Sequence, residues 1–349
     1  MIAMLLSAGV AFIVTIVLTP MAIRFFRRQG VGQFIQDEVD HAHKQGTPTM
    51  GGLVIILAVV LGWLAGHLDV RTPEGDISLN FKPFLTPGLL VLLAFVGMGL
   101  IGFLDDLAKV TRSRNLGLNK RWKFLGQLAI SSLFAWGAIG YGATTEIAFT
   151  RPLGIELPWW AYVLWVLVML TAASNAVNIT DGLDGLASGS AALVFGAFVI
   201  ITFWQFRHPE FYAVVGTLEM AMLSAGLAGA TLGFLWWNAA PAKIIMGDTG
   251  SQALGGAMAA LALLSNTHLL LVVLGGLYVV ETASVILQVA SFHGFGRRIF
   301  RMAPLHHHFE LKAWPETTVI VRFWILAALF VALGLGLFYG DFITSGGIG

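Results

Sequence analysis

Apolar stretches of about 20 residues, the length that spans a hydrocarbon core as a helix, recur from one end of this chain to the other between short polar segments. Ten of them predict ten transmembrane helices: Ile2 to Ile23, Thr49 to Gly66, Pro83 to Leu104, Phe124 to Thr145, Leu157 to Thr180, Gly185 to Phe206, Phe211 to Leu235, Thr249 to Thr267, Leu269 to Phe292 and Val319 to Gly340. The pattern is that of an all-α polytopic integral membrane protein, with residues 1–349 as a single domain and no soluble domain between the stretches. The first stretch lacks a basic segment ahead of it, since Arg24, Arg27 and Arg28 follow the apolar run, so it reads as an uncleaved helix. Glu219 and Glu281 fall inside stretches, where an ionisable group is costly enough to be a functional candidate.

Composition agrees with the pattern. Of 349 residues 57% are apolar and 11% charged, against about 25% charged in soluble domains, and mean hydropathy is +0.81. The net charge of +1 is not pooled into a basic patch, which argues against a nucleic-acid partner. The absence of cysteine excludes disulfides, thiolate metal sites and cysteine nucleophiles. The basic residues matter through their placement. With both termini outside, on the periplasmic side, only Arg71, Lys82, Arg151 and Arg207 of the 20 basic residues fall in outer connections, leaving 16 inside, as the positive-inside bias requires.

That orientation puts every polar motif on the cytoplasmic face, in loops spanning about 24–51, 105–123, 175–187, 236–251 and 293–318. After the third stretch, Asp105 and Asp106 stand beside Lys109, and neighbouring carboxylates repel unless a cation or shared proton relieves them. After the fifth, Asn175, Asn178, Asp181 and Asp184 recur every three positions, so on a continued helix they would share one broad face. Asn238 and Lys243 precede Gly247-Asp248-Thr249-Gly250, an Asp among glycines beside a helix start, which suits phosphate and magnesium. His306, His307 and His308 lie among Arg297, Arg298, Arg301 and Lys312; adjacent histidines cannot share one side of a helix, so substrate contact is favoured over a three-His metal cage. Lys44 and Thr49 flank the second stretch, and Gln288 lies two helical turns from Glu281 on the same face. Aspartates, lysines and glycine-rich turns at a membrane face are the parts needed to position a magnesium-bound diphosphate against a lipid phosphate.

The paired Asp105 and Asp106, the run from Asn178 to Asp184, and Asp248 resemble the polyprenyl-phosphate N-acetylhexosamine-1-phosphate transferase superfamily over nearly the whole chain. Within it, Thr47 to Gly52, Asn238 to Ser251 and Pro304 to Leu311 resemble the phospho-N-acetylmuramoyl-pentapeptide transferase family. The resemblance implies ten helices in a bacterial inner (cytoplasmic) membrane, a homodimer, and transfer of phospho-N-acetylmuramoyl-pentapeptide from its UDP carrier to undecaprenyl phosphate with Mg2+, giving lipid I and UMP. It implies Asp248 as magnesium ligand, Asp105 and Asp106 as residues that activate or position the lipid phosphate, and His306 as a residue that orients the phosphates. Contacts to uridine and diphosphate would come from Lys44, Thr49, Lys109, Asn178, Asp181, Asp184, Asn238, Gln288, His307 and His308, with positive potential from Lys120, Arg121 and Lys123. Asp105 as base, positioner or nucleophile are all compatible with the motif. The alternatives are a sister enzyme that transfers N-acetylglucosamine-1-phosphate and, from another class, a transporter.

Overall fold

The computed structural model describes residues 1–32, 46–71, 78–111 and 117–346. Its long helices are α1 (Ile2–Arg28), α2 (Gly52–Gly66), α3 (Thr86–Thr111), α4 (Lys120–Tyr141), α5 (Trp159–Thr180), α6 (Leu186–Arg207), α8 (Thr217–Asn238), α9 (Gly247–Leu264), α11 (Gly276–Phe295) and α13 (Glu316–Thr344). Short helices α7 (Pro209–Tyr212), α10 (Leu270–Leu274) and α12 (Leu305–Glu310) lie between them. Each apolar stretch thus contains a helix, although Gly275 divides the ninth into α10 and α11.

Seven of these helices, α1, α3, α4, α5, α6, α8 and α13, are long and apolar enough to cross a membrane. The other three differ for a physical reason. α2 has only 15 residues, and α9 and α11 carry Asp248, Gln252, Glu281 and Gln288. α9 tolerates its polar and small residues because it is the central helix: every residue from Thr249 to Leu264 is buried, and it packs along α3 and α5. Glycine and alanine let helices approach closely where no hydrophobic force drives them together. The outer ring shows the opposite pattern. The apolar windows of α1, α4 and α13 are 28% buried, whereas that of α8 is 78% buried, so their large apolar side chains are left to face lipid.

The chain is not wholly helical. β1 (Leu68–Arg71) pairs antiparallel with β2 (Ser78–Phe81) in the connection between α2 and α3, and β3 (Glu146–Ala148) with β4 (Pro152–Glu156) in that between α4 and α5. The expected all-α class therefore needs this addition. Such short hairpins carry too little alternation to stand out between long apolar runs.

Candidate active site

The end of α3 and the start of α9 meet at one point. α3 delivers Asp105, Asp106 and Lys109 in its last two turns, and α9 delivers Asp248 in its first. They approach because Gly102 has no side chain: a Cβ there would collide with the Asp248 carbonyl and lie 2.7 Å from the Thr249 nitrogen. A Cβ on Gly52 would likewise strike the Gly250 backbone. Residues 48–52 are then stitched to the segment entering α9, with the Ile245 N–H donating to the Pro48 carbonyl at 2.8 Å and the Gly51 and Gly52 N–H groups donating to the Ile245 and Met246 carbonyls at 2.9 Å.

Asp106 caps α9. Its carboxylate accepts from the Asp248 N–H at 3.1 Å, the Thr249 N–H at 2.9 Å and the Thr249 hydroxyl at 2.7 Å. It thereby satisfies donors with no partner inside the helix and opposes the positive end of the helix dipole. Asp105 accepts from the Leu118 N–H at 2.9 Å and pairs with Lys109 at 2.7 Å. The Lys109 ammonium also lies 3.1 Å from Asp248 and 3.8 Å from Asp106, and Lys123 of α4 reaches Asp248 at 2.9 Å. Gln252, one turn along α9, donates to the same Asp248 oxygen at 3.3 Å.

Asp105, Asp106 and Asp248 each offer an oxygen within 4.8 Å of the others. Two ammonium groups against three carboxylates leave one formal negative charge in excess. Hard oxygen donors with surplus negative charge fit a divalent magnesium ion, which takes one or two protein carboxylates and completes its shell with phosphate and water. Asp248 is best placed as ligand, with Asp105 beside it, because both oxygens of Asp106 are held by backbone N–H groups of α9, whereas those of Asp248 are held only by the side chains of Lys109, Lys123 and Gln252, and one of Asp105 only by Lys109, which a cation can displace.

A cavity of about 200 Å³ opens beside this cluster, lined by Thr49, Asp106, Lys109, Asn178, Asp181 and Asp248 among others. Six sequence-predicted residues therefore converge. The single helical face expected for Asn175 to Asp184 does not form, because α5 ends at Thr180 and Asp181 is its C-cap. Asn175 turns back to the Thr171 carbonyl at 2.8 Å. Asp184 accepts from the Ala242 N–H at 2.8 Å, and buried Asn238 accepts from the Ser188 hydroxyl at 2.8 Å while donating to the Ile244 carbonyl at 2.9 Å. Asp184 and Asn238 thus fasten the loop that leads into Asp248.

The three histidines point to three surroundings. His307 lies 2.6 Å from Glu310, and His308 accepts from the Arg301 N–H at 3.0 Å. His306 is fully buried, and a Cβ on Gly182 would collide with its Nε2, so the ring abuts the Asp181–Asp184 turn. Burial holds this imidazole below the usual histidine range against the pull of Glu281. Gln288 spends its amide on residues 299–300, accepting from the Ile299 and Phe300 N–H groups at 3.0 and 2.9 Å and donating to the Phe300 carbonyl at 2.9 Å. It lines a separate cavity of about 530 Å³ with Arg298 and Arg301. Lys44 lies outside the described residues, and Lys120 and Arg121 are exposed.

Sequence reasoning missed the direct Lys123–Asp248 pair, Thr249 as a partner of Asp106, and Gln252. Only Gln252 carried a local signal, four residues after Asp248 and hence on the same helix face.

A bundle of membrane-crossing helices with acidic and basic groups gathered at one end, beside a helix N-terminus, is that of a membrane-embedded transferase. The comparisons agree, for residues 88–266 match the family model described as Glycosyl transferase family 4. Residues 44–56 match the phospho-N-acetylmuramoyl-pentapeptide-transferase signature 1. Curated relatives named phospho-N-acetylmuramoyl-pentapeptide-transferase include those of Frankia alni, 49% identical over 98% of this chain and 98% of the relative, and Saccharopolyspora erythraea, 47% identical over 97% of each. A third, from Mycobacterium avium, is 47% identical over 98% of each. The chain belongs to the phospho-N-acetylmuramoyl-pentapeptide transferase family.

Proposed function

We propose that this enzyme transfers phospho-N-acetylmuramoyl-pentapeptide from UDP-N-acetylmuramoyl-pentapeptide to undecaprenyl phosphate, forming lipid I and UMP for peptidoglycan. An oxygen of the lipid phosphate attacks the sugar-linked phosphorus, and the bond from that phosphorus to the bridging oxygen breaks as UMP departs. One phosphoanhydride replaces another. The observation that carries the reading is the convergence of Asp105, Asp106 and Asp248 with Lys109 and Lys123 beside a cavity that Asn178 and Asp181 also line.

Phosphoryl transfer asks a protein chiefly for positioning and charge neutralisation. A phosphate monoester, with a second pKa near 6, is largely ionised at neutral pH and needs little help from a general base. Lys109 and Lys123 supply fixed positive charge, Asp105 is oriented by Lys109 and the Leu118 N–H, and Asp106 fixes the start of α9 and with it Asp248. Magnesium, held by Asp248 and Asp105, would supply Lewis-acid neutralisation of the diphosphate. Thr49, Asn178 and Asp181 face the nucleotide-sugar in the same cavity, and His306 and His307 of α12 lie against Gly182, next to Asp181. The lipid has a matching route: an apolar cleft of about 260 Å³ between α5 and α11, lined by Met169, Ala173, Val177, Tyr278 and Ile286, lies directly along α5 from Asn178.

The same reading has all ten long helices crossing the inner membrane, both termini outside, the active site facing the cytoplasm and two copies associating as a homodimer. UMP release by purified protein in undecaprenyl phosphate micelles tests the chemistry. Turnover with UDP-N-acetylmuramoyl-pentapeptide and magnesium is expected, with none in chelator. Turnover with UDP-N-acetylglucosamine instead would select the sister reaction, and turnover unaffected by chelator would remove the metal.

A further inference from the structure

The oxygens of Asp105, Asp106 and Asp248 are not held alike. Both oxygens of Asp106 and Oδ1 of Asp105 accept from backbone N–H groups. Oδ2 of Asp248 is shared by the side chains of Lys123 and Gln252, at 2.9 and 3.3 Å, and a carboxylate oxygen has about two lone-pair sites, so it is filled. The two oxygens that are left, Oδ2 of Asp105 and Oδ1 of Asp248, are joined by the ammonium of Lys109, at 2.7 and 3.1 Å. No backbone N–H reaches either of them among the described residues.

These two oxygens are the ones open to a divalent ion, and Lys109 sits where they converge. Magnesium would bind them at about 2.0–2.1 Å. With the ammonium still about 3 Å from the same atoms, two positive charges would stand within a few ångströms of each other and repel strongly. Lys109 is free to move: its ammonium ends a flexible four-carbon stem, its side chain is 30% exposed, and it lines the cavity of about 200 Å³ together with Thr49, Asn178 and Asp181. The carboxylates stay placed meanwhile, because Asp105 keeps the Leu118 N–H and Asp248 keeps Lys123 and Gln252.

We infer that Lys109 is a place-holder for magnesium: its ammonium balances Oδ2 of Asp105 and Oδ1 of Asp248 until the ion takes them, and then turns into the cavity to meet the diphosphate of the nucleotide-sugar. The positive charge remains at the site throughout and only its partners change. The inference rests on magnesium being held by Asp248 and Asp105; it adds which oxygens take the ion and gives one residue two successive tasks.

Two measurements on purified protein without substrate test it. In the first, manganese is titrated and the free ion followed by electron paramagnetic resonance. Wild type is expected to bind the ion and Asp248→Asn to lose it, while Lys109→Met, which keeps the stem and removes the competitor, should bind on the order of 10-fold tighter or more. The gain in Lys123→Met should be smaller, because Lys123 holds the other oxygen of Asp248. Turnover of Lys109→Met should nevertheless fall on the order of 10²-fold. In the second, reductive methylation of wild type at fixed pH is read by mass spectrometry; magnesium is expected to raise the reactivity of Lys109 and leave that of Lys123 unchanged. Bound manganese with no change at Lys109, or affinity in Lys109→Met no tighter than in Lys123→Met, would overturn the exchange and leave the metal site standing. No manganese bound by wild type would overturn both.

Discussion

Replacing Gly102 with alanine adds one methyl group at the place where α3 meets α9. The new carbon would overlap the Asp248 carbonyl and sit 2.7 Å from the Thr249 nitrogen, where an ordinary contact needs about 3.5 Å. Backbone on both sides cannot rotate away as a side chain could, so the helices must part by roughly 1 Å. That motion stretches the bonds from Asp106 to the Asp248 N–H, now 3.1 Å, and the Thr249 N–H, now 2.9 Å, beyond useful length. Overpacking of this kind costs about 1–3 kcal/mol, and each hydrogen bond to a charged group about 1.5–3 kcal/mol. A catalytic group displaced by about 1 Å loses on the order of 10²-fold in rate, equivalent to about 2.7 kcal/mol. The assay is magnesium-supported UMP release together with the thermal midpoint in the same detergent. Gly9→Ala on α1 is the control, because a Cβ there meets nothing within 4 Å and alanine is the better helix former by about 0.5–1 kcal/mol. Wild-type turnover and midpoint in Gly102→Ala would refute the close-approach reasoning, as would an equal loss in Gly9→Ala.

Asp248→Asn keeps the shape of the cluster but removes the charge that Lys109 and Lys123 balance; turnover should fall on the order of 10²- to 10³-fold, and a wild-type rate would dismiss Asp248 as metal ligand. Burial lowers His306 from its ordinary value of 6.5, so the imidazole stays neutral through neutral pH and the acid limb of kcat/KM due to it should lie below 6.5. The same shift means that the unfolded chain takes up this proton first, so the His306 contribution to stability is present above pH 6.5 and diminishes as pH falls through and below that value; an acid limb above 6.5 that disappears in His306→Asn would contradict the assignment. At the other end of the bundle, Arg151 bonds Asp341 twice at 2.9 Å and lies 4.7 Å from the Phe211 ring centroid. Its side chain is 36% exposed, so Arg151→Ala should cost about 1 kcal/mol or less and leave turnover unchanged, and a large loss of activity would show that the two ends are coupled.

The segments of the membrane bundle were legible because burial in lipid is decided by composition over about 20 residues, a local property. Charge bias supplied the expected orientation for the same reason, being a sum over short loops. The chemistry-bearing residue types were legible too, since Asp105, Asp106, Asp181, Asp248 and the histidines interrupt otherwise apolar or basic surroundings. What could not be read was which of them face one another. Lys123 and Asp248 are 125 positions apart, and their pairing depends on how α4 and α9 pack around α3. Asp106 stands next to Asp105 in sequence, yet it is committed to capping α9 while Asp105 holds Lys109 and the Leu118 N–H. Glu281 looked like any buried acid until α12 folded back over α11 and placed His306 against it. By itself the sequence determined which stretches are apolar enough to form membrane helices and which polar groups lie between them, because those choices follow from transfer energies summed along the chain. The tertiary structure alone decided each group's partner, because partners are set by close contacts between distant helices, such as the one Gly102 permits.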